Sequence, residues 1–362
     1  MELKSIDKDK FNEIATKFAC RNFFQTSNMG SSLEMRGKKI YYLGLEEDEQ
    51  IVAITMLVEN GTFLRKKVFE ALKGFLIDYS DTELVKIFTE KLLEFVKEQN
   101  GFKLSIDPYI IETERDIDGK IIDGGKNNYK VIEALGNIGY QKSKVDTQVR
   151  FNFCLDVLGK SEEEVFKNFK ATTRNLINKA EREGVEVIDL SYEELDNFKA
   201  ITEYTCKRRG FLDKSLEYYQ SMYKAFGDEV VFKLARLNIN KYENYLNNLK
   251  YDYEEKINKI VGSNKKKDNY IFEVSNIDKK LSKIKELPVN DGYVNLAAAM
   301  FMLYGDETIY LFSGSYDELN EFGGQYLIQW DVIKYAINNG YKRHNFFGIM
   351  NFQNKNDKDY GI

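Results

Sequence analysis

Two passages decide the fold class of this sequence: LEFVKEQNGFKLSID at residues 93–107 and VIKYAINNGYKRHNFFG at residues 332–348. In each passage, apolar residues three or four apart predict an amphipathic helix, an Asn-Gly or Gly stop ends it, and a strand-like run follows. Strand-like runs also precede both helices. The repeated unit indicates two similarly built α/β halves, although a helix, glycine and strand unit also arises by chance in many α/β proteins.

The segments around these passages predict the remaining elements. Branched and aromatic runs predict strands, and three- and four-residue apolar spacing predicts helices. The predicted strands are YYLGLE (41–46), IVAITMLV (51–58), GFLID (74–78), FKLSID (102–107) and YKRHNFFGI (341–349), and the predicted helices cover residues 81–99, 161–184, 191–210 and 327–339. The helices at 161 and 191 begin with Ser and Glu in capping-box spacing.

Residues 241–287 differ from the rest because they are rich in Lys, Asn and Tyr and carry a single narrow apolar seam. The seam predicts two helices folded back on each other as an antiparallel arm. Two ordinary helices packed on the body of the protein are the alternative.

Composition limits the protein class. The chain has 362 residues, of which 43% are hydrophobic, and its net charge is −5. This predicts two or three globular domains and argues against a uniformly basic nucleic-acid-binding surface, though not against a local basic groove. Because the three cysteines are dispersed along the chain, we expect them to be reduced thiols. Because no run of about 18 apolar residues occurs, we expect a soluble protein that has no transmembrane segment and is not exported.

Several kinds of active site lack their sequence signature. One histidine, His344, and three dispersed cysteines do not make a metal site, so no metal is expected. Walker, G-x-S-x-G and strand-linked G-x-G-x-x-G motifs are missing, which argues against ATPase, hydrolase and dehydrogenase functions. A cysteine nucleophile paired with His344 is left open, although such cysteines are more often packed as small apolar side chains.

Two places carry candidate functional groups. CKRRGFLDKSLEYY (206–219) concentrates Arg208, Lys214 and Tyr218 near a glycine turn, a composition suited to phosphate recognition. A helix end decorated with basic residues is the structural alternative. Asp107 in SIDPYI follows a strand, where it could accept a proton from an attacking amine or serve only as a turn cap.

The order of segments along almost the whole chain resembles the FemABX family of aminoacyl-tRNA-dependent peptidyltransferases. The resemblance lies in FFQTS, FLIDYSD, SIDPYI, KNFKATTRNLINKAEREGVEV, KRRGFLDKSLEYY, the lysine-rich helical pair and QYLIQWDVIKYAINNGYKRHNFFGI. SIDPYI, EFGGQYLIQW and YKRHNFFG are most similar to the FemA and FemB type, and the MurM and MurN type is also close.

The resemblance implies an α/β (α+β) fold class with two GNAT-like (acyl-CoA N-acyltransferase-like) domains and an inserted antiparallel helical coiled-coil arm. It assigns residues 1–150 to the first domain, residues 151–240 plus 288–362 to the second, and residues 241–287 to the arm. The sequence has no Q/R-x-x-G-x-G/A run of the kind that holds acetyl-CoA in ordinary GNAT enzymes. That absence suits a tRNA donor and no cofactor.

The resemblance also implies a reaction and its partners. Glycine, alanine or serine would pass from aminoacyl-tRNA to the amine of the stem-peptide lysine, or of the growing interpeptide bridge, on a lipid-linked peptidoglycan precursor. The protein would work in the cytoplasm, peripheral to the inner face of the plasma membrane, and a homodimer or a heterodimer with a paralogue is left open. A catalytically inactive relative that binds the precursor or a partner enzyme is the alternative function.

Residue by residue, the resemblance implies the following roles. Lys214 stands where relatives usually have a phosphate-binding arginine, Tyr218 matches a tyrosine of the same patch, and Arg208 occupies a basic position in the adjoining turn. Asp107 matches the I-D-P aspartate and is the catalytic candidate for the amine proton. Relatives tend to carry a lysine where this chain has Leu33, for which Arg36 or Lys38 would substitute.

The final segment departs from the family pattern. Relatives continue beyond a strand like HNFFGI into an F-K-K/R-G-F-like stretch whose lysine is implicated in acyl transfer, whereas this sequence stops at residues 359–362. The expectation is either a shortened version of a longer chain or a protein that binds without turnover.

Overall fold

The first half of the chain forms a five-stranded sheet. The computed structural model describes residues 1–144 and 148–349, so the expectation for residues 359–362 lies outside the described residues. The sheet has the order β1-β2-β3-β4-β5, in which every neighbouring pair is antiparallel except the parallel pair β4 and β5. Its strands are β1 (Glu2–Ser5), β2 (Lys39–Glu47), β3 (Gln50–Phe63), β4 (Lys66–Ala71) and β5 (Gly101–Ile106).

The second half repeats this topology with one strand added at the edge. Its order is β6-β11-β10-β9-β8-β7, and β7 to β11 pair as β1 to β5 do, with the last pair again parallel. These strands are β6 (Phe151–Asp156), β7 (Val185–Asp189), β8 (Val230–Asn238), β9 (Tyr293–Tyr304), β10 (Glu307–Ser315) and β11 (Arg343–Ile349). The predicted fold class of two similarly built α/β halves is therefore confirmed.

Helices connect and cover the strands. They are α1 (Lys8–Ala15), α2 (Ser27–Met35), α3 (Thr82–Glu98), α4 (Tyr129–Ile138), α5 (Glu162–Asn168), α6 (Ala171–Arg182), α7 (Leu195–Arg209), α8 (Leu216–Phe226), α9 (Ile239–Asn258), α10 (Lys265–Ile284) and α11 (Gly324–Asn338). Helix α3 connects β4 to β5, and α11 connects β10 to β11. A parallel pair needs such a crossover helix, which is why the two passages that decide the fold look alike.

Two predicted elements are wrong in detail. The run at 74–78 is not a strand: Phe75 and Leu76 are buried as their apolar character requires, but only Leu76 pairs with the sheet, through Ile54. The strand in this region is β4, which begins with two lysines and for that reason has no clear strand pattern. The helix predicted over 161–184 breaks at Phe169, which adopts extended backbone angles and packs against Trp330 with ring centroids 5.6 Å apart.

The helices expected between 241 and 287 are present as an antiparallel pair. Lys250 on α9 pairs with Asp278 on α10 at 2.7 Å, and Tyr253 stacks on Tyr270. The pair connects β8 to β9, whereas the equivalent strands β2 and β3 are joined by a two-residue turn. The arm is thus an insertion into one copy of a shared topology, and the domain boundaries at 150, 240 and 288 stay predictions.

A shared hydrophobic core joins the two halves. Phe23 and Met29 from the first half pack in the same buried cluster as Met222 and Phe226 from the second. Beside them Ser32 on α2 hydrogen-bonds Ser221 on α8 through their hydroxyl oxygens at 2.9 Å. This packing fixes the end of α2 next to α8.

Candidate functional site

The contact between α2 and α8 brings two cations to one tyrosine ring. The Arg36 guanidinium carbon lies 4.5 Å from the ring centroid of Tyr218, and the Lys214 ammonium nitrogen lies 5.6 Å from it. Neither cation has a carboxylate within 4 Å in the described part of the chain. Arg36, Lys214 and Tyr218 are called the cation cluster below.

Burial changes the proton affinities within the cation cluster. It raises the pKa of the Tyr218 phenol to about 12, and it lowers the pKa of the Arg36 guanidinium. The Arg36 Nε–H donates to the Ser32 carbonyl oxygen at 3.1 Å, which holds the end of the side chain in place. A partly desolvated cation without an acid partner favours an incoming anion, because the anion replaces the lost solvation.

The loop that carries Lys214 is held by Asp213, a residue the sequence did not single out. Its carboxylate accepts hydrogen bonds from Lys199 at 2.8 Å, Thr202 at 2.9 Å and the Tyr219 hydroxyl at 2.7 Å. Burial alone would raise the pKa of Asp213, but these hydrogen bonds outweigh it and the net shift is downward. The ionised carboxylate therefore fixes the backbone one residue before Lys214.

The other basic candidates lie elsewhere. Arg208 turns away from the cation cluster and pairs with Asp317 at 2.8 Å. Leu33 is buried in the shared core. Of its two expected substitutes, Arg36 reaches Tyr218, whereas Lys38 donates to Asn60 at 3.1 Å.

Asp107 lies at the end of β5, on the wall of a cleft of about 2870 Å³ that both halves line. Its Oδ2 forms an ion pair with the Lys73 ammonium at 2.7 Å. Oδ2 is buried while the side chain as a whole is 37% exposed, so Oδ1 is the oxygen that the cleft can reach. The arrangement leaves one carboxylate oxygen available to an amine.

Lys73 is buried and adopts left-handed backbone angles, with φ of 50°. Gln25 of the FFQTS segment holds this turn: its side-chain amide donates to the Leu72 carbonyl at 2.8 Å and accepts from the Met56 N–H at 2.7 Å. Left-handed non-glycine residues persist only where surrounding contacts require them. Gln25 therefore supports the lysine that faces Asp107.

The same segment also begins the helix that ends at the cation cluster. The Thr26 hydroxyl accepts the Met29 N–H at 3.1 Å and caps α2, whose end is followed by Arg36. FFQTS thus supports both candidate places at once. This double role cannot be predicted from the sequence, because Gln25 and Thr26 act through buried hydrogen bonds to backbone groups.

A buried polar group joins the halves deeper in the cleft. Glu307 on β10 accepts hydrogen bonds from Tyr109 at 3.0 Å, Arg343 Nε at 2.8 Å and Asn345 at 3.0 Å. Tyr109 follows Asp107 by two residues, so this group anchors the Asp107 loop to the second sheet. Burial raises the pKa of the Tyr109 phenol, which keeps it a hydrogen-bond donor.

The alternative of a cysteine nucleophile paired with His344 is wrong. His344 is fully buried, its two ring nitrogens contact Thr308 and Gln329, and burial lowers its pKa to about 3. Partial desolvation raises the pKa of Cys154 and of Cys206 to about 11, and it raises the pKa of Cys20 as well. Both ring nitrogens of His344 are thus occupied by other side chains, and a thiol of raised pKa stays protonated near neutral pH.

The structure does not bring all candidate residues to one place. Asp107 lines the cleft, whereas Arg36, Lys214, Tyr218 and Arg208 do not. The two places are linked through β10: Tyr109 contacts Glu307 at its start, and Tyr218 contacts Phe312 five residues later. Five strand residues span about 17 Å.

Within residues 1–144 and 148–349, no helix combines the length and apolar character needed to cross a bilayer. In the same ranges, His, Cys, Asp and Glu side chains nowhere gather in a group that could hold a metal ion.

Comparison with known proteins gives the relatives of this chain. The model of the FemAB family matches residues 6–362. The chain belongs to the FemAB family. It is similar to "Aminoacyltransferase FemA" of Staphylococcus epidermidis, with 26% identity over 380 residues that cover all of this chain and 91% of the relative. The corresponding protein of Staphylococcus aureus is 25% identical, with 90% of its length covered.

Among solved structures, this FemAB-family chain is similar to the crystal structure of FemX. The TM-score is 0.73 at 20% identity, and the match covers all of this chain and 92% of the other. The likeness supports the fold described above.

Proposed function

We propose that this FemAB-family protein is an aminoacyltransferase that extends the interpeptide bridge of peptidoglycan. An amino acid, glycine, alanine or serine, would pass from aminoacyl-tRNA to the amine of the stem-peptide lysine, or of a residue already added, on a lipid-linked precursor. The relatives named as aminoacyltransferases support the reaction class. The observation that carries the proposal is the cation cluster, whose two cations have no acid partner in the described residues.

The cation cluster suits the diphosphate of the precursor. Arg36 offers two parallel N–H donors, Lys214 a point charge and Tyr218 a hydroxyl donor. With the diphosphate bound there, the sugar and stem peptide would extend toward Asp107. Three extended residues span about 10 Å, and the sugar and the lysine side chain add further length. An acceptor of this length would extend along β10, whose residues from Glu307 to Phe312 span about 17 Å.

At Asp107 the reaction requires the amine and the ester to be held together, and it requires no covalent enzyme intermediate. The amine nitrogen attacks the ester carbonyl carbon, a tetrahedral intermediate forms, and the bond to the tRNA ribose oxygen breaks. The proton lost by the amine ends on that leaving oxygen. Asp107 Oδ1 would receive or orient the amine proton while Lys73, held by Gln25, keeps the carboxylate in position.

A tRNA donor is favoured over acetyl-CoA by the two equivalent helix starts. A pyrophosphate binds readily at a free helix N-terminus. At α3 the Asp81 carboxylate already accepts the Leu84 N–H at 2.9 Å. At α11 a Cβ added to Gly323 would lie 3.2 Å from the Leu176 carbonyl oxygen, so α6 covers that end.

The arm is the candidate contact for the tRNA. Residues 241–287 contain eleven lysines and eight acids. Each phosphate neutralised there would steepen the salt dependence of binding. A solvated lysine-rich helical pair is the alternative for this element.

One assay tests the proposed function. The protein is incubated with lipid-linked precursor and either labelled aminoacyl-tRNA or labelled acetyl-CoA, and the label in the muropeptide is measured. Transfer from tRNA alone is expected. Precursor binding without transfer would indicate the non-catalytic scaffold, and acetyl incorporation would indicate an acetyltransferase; either result contradicts the proposal.

A further inference from the structure

The turn between β3 and β4 exposes an apolar group at one end of the first sheet. Phe63 is 60% exposed and Leu64 is 82% exposed. Phe102, at the start of β5, lies against Phe63 with ring centroids 5.8 Å apart and is itself exposed. These three side chains are called the hairpin tip. Clustered apolar groups of this kind indicate a contact surface, because water does not favour them at an exposed turn.

Cations surround the hairpin tip. Arg65, Lys66 and Lys103 are exposed, and none of the three has a carboxylate within 4 Å among the residues that the structure describes. Lys67 is already neutralised by Glu59 at 3.1 Å. Apolar side chains beside unpaired cations match the interface of an anionic lipid bilayer, whose headgroups attract the charges while its acyl boundary accepts the rings.

The hairpin tip lies at the same end of the sheet as the cation cluster. β2 begins at Lys39, three residues after Arg36, and Lys39 pairs in register with Glu59. Phe63 lies four residues further along β3, a distance of about 13 Å. In a lipid-linked acceptor the phosphates join the sugar to the lipid, so a protein that binds them must itself approach the bilayer surface.

A second exposed apolar pair lies on the loop that carries Lys214. Phe211 is 57% exposed and Leu212 is 96% exposed, and Lys214 follows Leu212 by two residues. One Phe-Leu pair therefore lies on the loop that carries Lys214, and the other lies in the β3–β4 turn, beyond the strand end that follows Arg36.

We propose that the hairpin tip, with Phe211 and Leu212 as a second contact, docks on the surface of an anionic lipid bilayer. Docking there brings Arg36 and Lys214 to the depth at which the phosphates of a lipid-linked acceptor lie. This inference rests on the proposed function for its biological purpose, but the docking itself is a property of the surface and is measured without any transfer reaction.

The test is co-sedimentation of the full-length protein with vesicles. We expect binding to vesicles of phosphatidylcholine with equimolar phosphatidylglycerol and little binding to phosphatidylcholine alone. The double variant F63S/L64S should bind the anionic vesicles at least tenfold more weakly, and R65A/K66A should lose a similar factor together with most of the salt dependence. All four side chains are exposed, so circular dichroism and thermal unfolding should match the unaltered protein.

A matched control sits at the arm turn, where Val261 is 98% exposed close to a run of lysines at 265–267. V261S should bind anionic vesicles as the unaltered protein does. The inference is overturned if the unaltered protein does not bind anionic vesicles, if F63S/L64S binds them undiminished, or if V261S loses as much binding.

Transfer to a water-soluble phosphorylated acceptor separates this inference from the proposed function. F63S/L64S should transfer to the soluble acceptor at the unaltered rate and to the vesicle-embedded acceptor more slowly. Vesicle binding through the hairpin tip without any transfer would contradict the proposed function and leave the docking intact. Transfer to embedded acceptor that F63S/L64S does not slow would contradict the docking alone.

Discussion

Lys214 supplies positive charge to the cation cluster without the two-point geometry of a guanidinium. Lys214→Ala should raise the KM for the phosphorylated acceptor by about 10- to 100-fold, the value of one lost charge-assisted hydrogen bond. Lys214→Arg should keep or lower that KM, because the guanidinium adds a second parallel donor. Steady-state kinetics with the acceptor as the varied substrate measures both effects.

Lys207 provides the control for that substitution. It is an exposed lysine at the end of α7, seven residues earlier, and it belongs to the same basic stretch of sequence. Lys207→Ala should leave the acceptor KM unchanged. An equal rise in both variants would mean that general surface charge, and not the cation cluster, determines acceptor binding.

His344 makes folding stability depend on pH. Its pKa is about 3 in the folded protein because of burial, well below the ordinary value near 6.5. Below about pH 6.5 the unfolded chain therefore binds a proton that the folded protein does not. The contribution of neutral His344 to the free energy of unfolding is fully present above that pH and is lost as the pH falls. Between pH 7 and pH 5 the loss should be about 2 kcal/mol.

Urea unfolding of the unaltered protein and of His344→Gln at the two pH values measures this dependence. As His344 is the only histidine in the sequence, the variant should lose about 2 kcal/mol less than the unaltered protein over the same interval. Equal pH dependence in the two proteins would show that His344 is protonated to the same extent in the folded and unfolded states.

Single residues were predictable where their chemistry is local. Asp107 and Lys214 stand out from the sequence because a carboxylate after a strand and a lysine in a basic turn are visible in their own neighbourhoods. Lys73 did not stand out, since its burial depends on a partner 34 positions away in the sequence. The ion pair of Arg208 leaves no local mark either, because its acid partner, Asp317, is more than a hundred residues distant.

At the scale of elements, the packing of α7 on β10 requires a glycine. A Cβ at Gly314 would lie 2.6 Å from the Ile201 carbonyl oxygen, and backbone atoms on both sides leave little freedom to move. Gly314→Ala should lower the free energy of unfolding by about 1–3 kcal/mol, the usual range for overpacking. Denaturant titration at neutral pH measures the change.

Gly136 in α4 is the matched control, because a Cβ there meets no atom within 4 Å beyond the backbone of its own helix. Gly136→Ala should raise the free energy of unfolding by about 0.5–1 kcal/mol, since alanine loses less backbone entropy in a helix. Destabilisation of both variants to the same degree would indicate that the contact at Ile201 is not the cause.

Elements were predictable from periodicity but their pairing was not. The helix at 81–99 and the strand at 102–107 agree with α3 and β5 to within about one residue, because apolar spacing and the Asn-Gly stop act locally. The parallel pairing of Lys67 with Gly101 spans the whole of α3 and leaves no local mark. The apolar run at 74–78 is buried as a strand would be, but it does not form a strand. Its apolar character alone therefore predicts the wrong type of element.

At the scale of the whole molecule, one topology occurs twice and differs in what it adds. The first copy joins β2 to β3 by a short turn, and the second inserts the α9–α10 arm at the same point. The shared core around Phe23 and Phe226 fixes the copies against each other. We propose that a single acceptor spans this junction, with its phosphates at the cation cluster and its amine at Asp107.

The most direct test compares two acceptors, the lipid-linked precursor and a phosphate-free muropeptide with the same stem peptide. We expect Arg36→Ala to raise KM for the lipid-linked precursor only, whereas Asp107→Asn should lower kcat for both acceptors. Equal effects of Arg36→Ala on the two acceptors, or an effect of Asp107→Asn confined to one of them, would contradict the proposal.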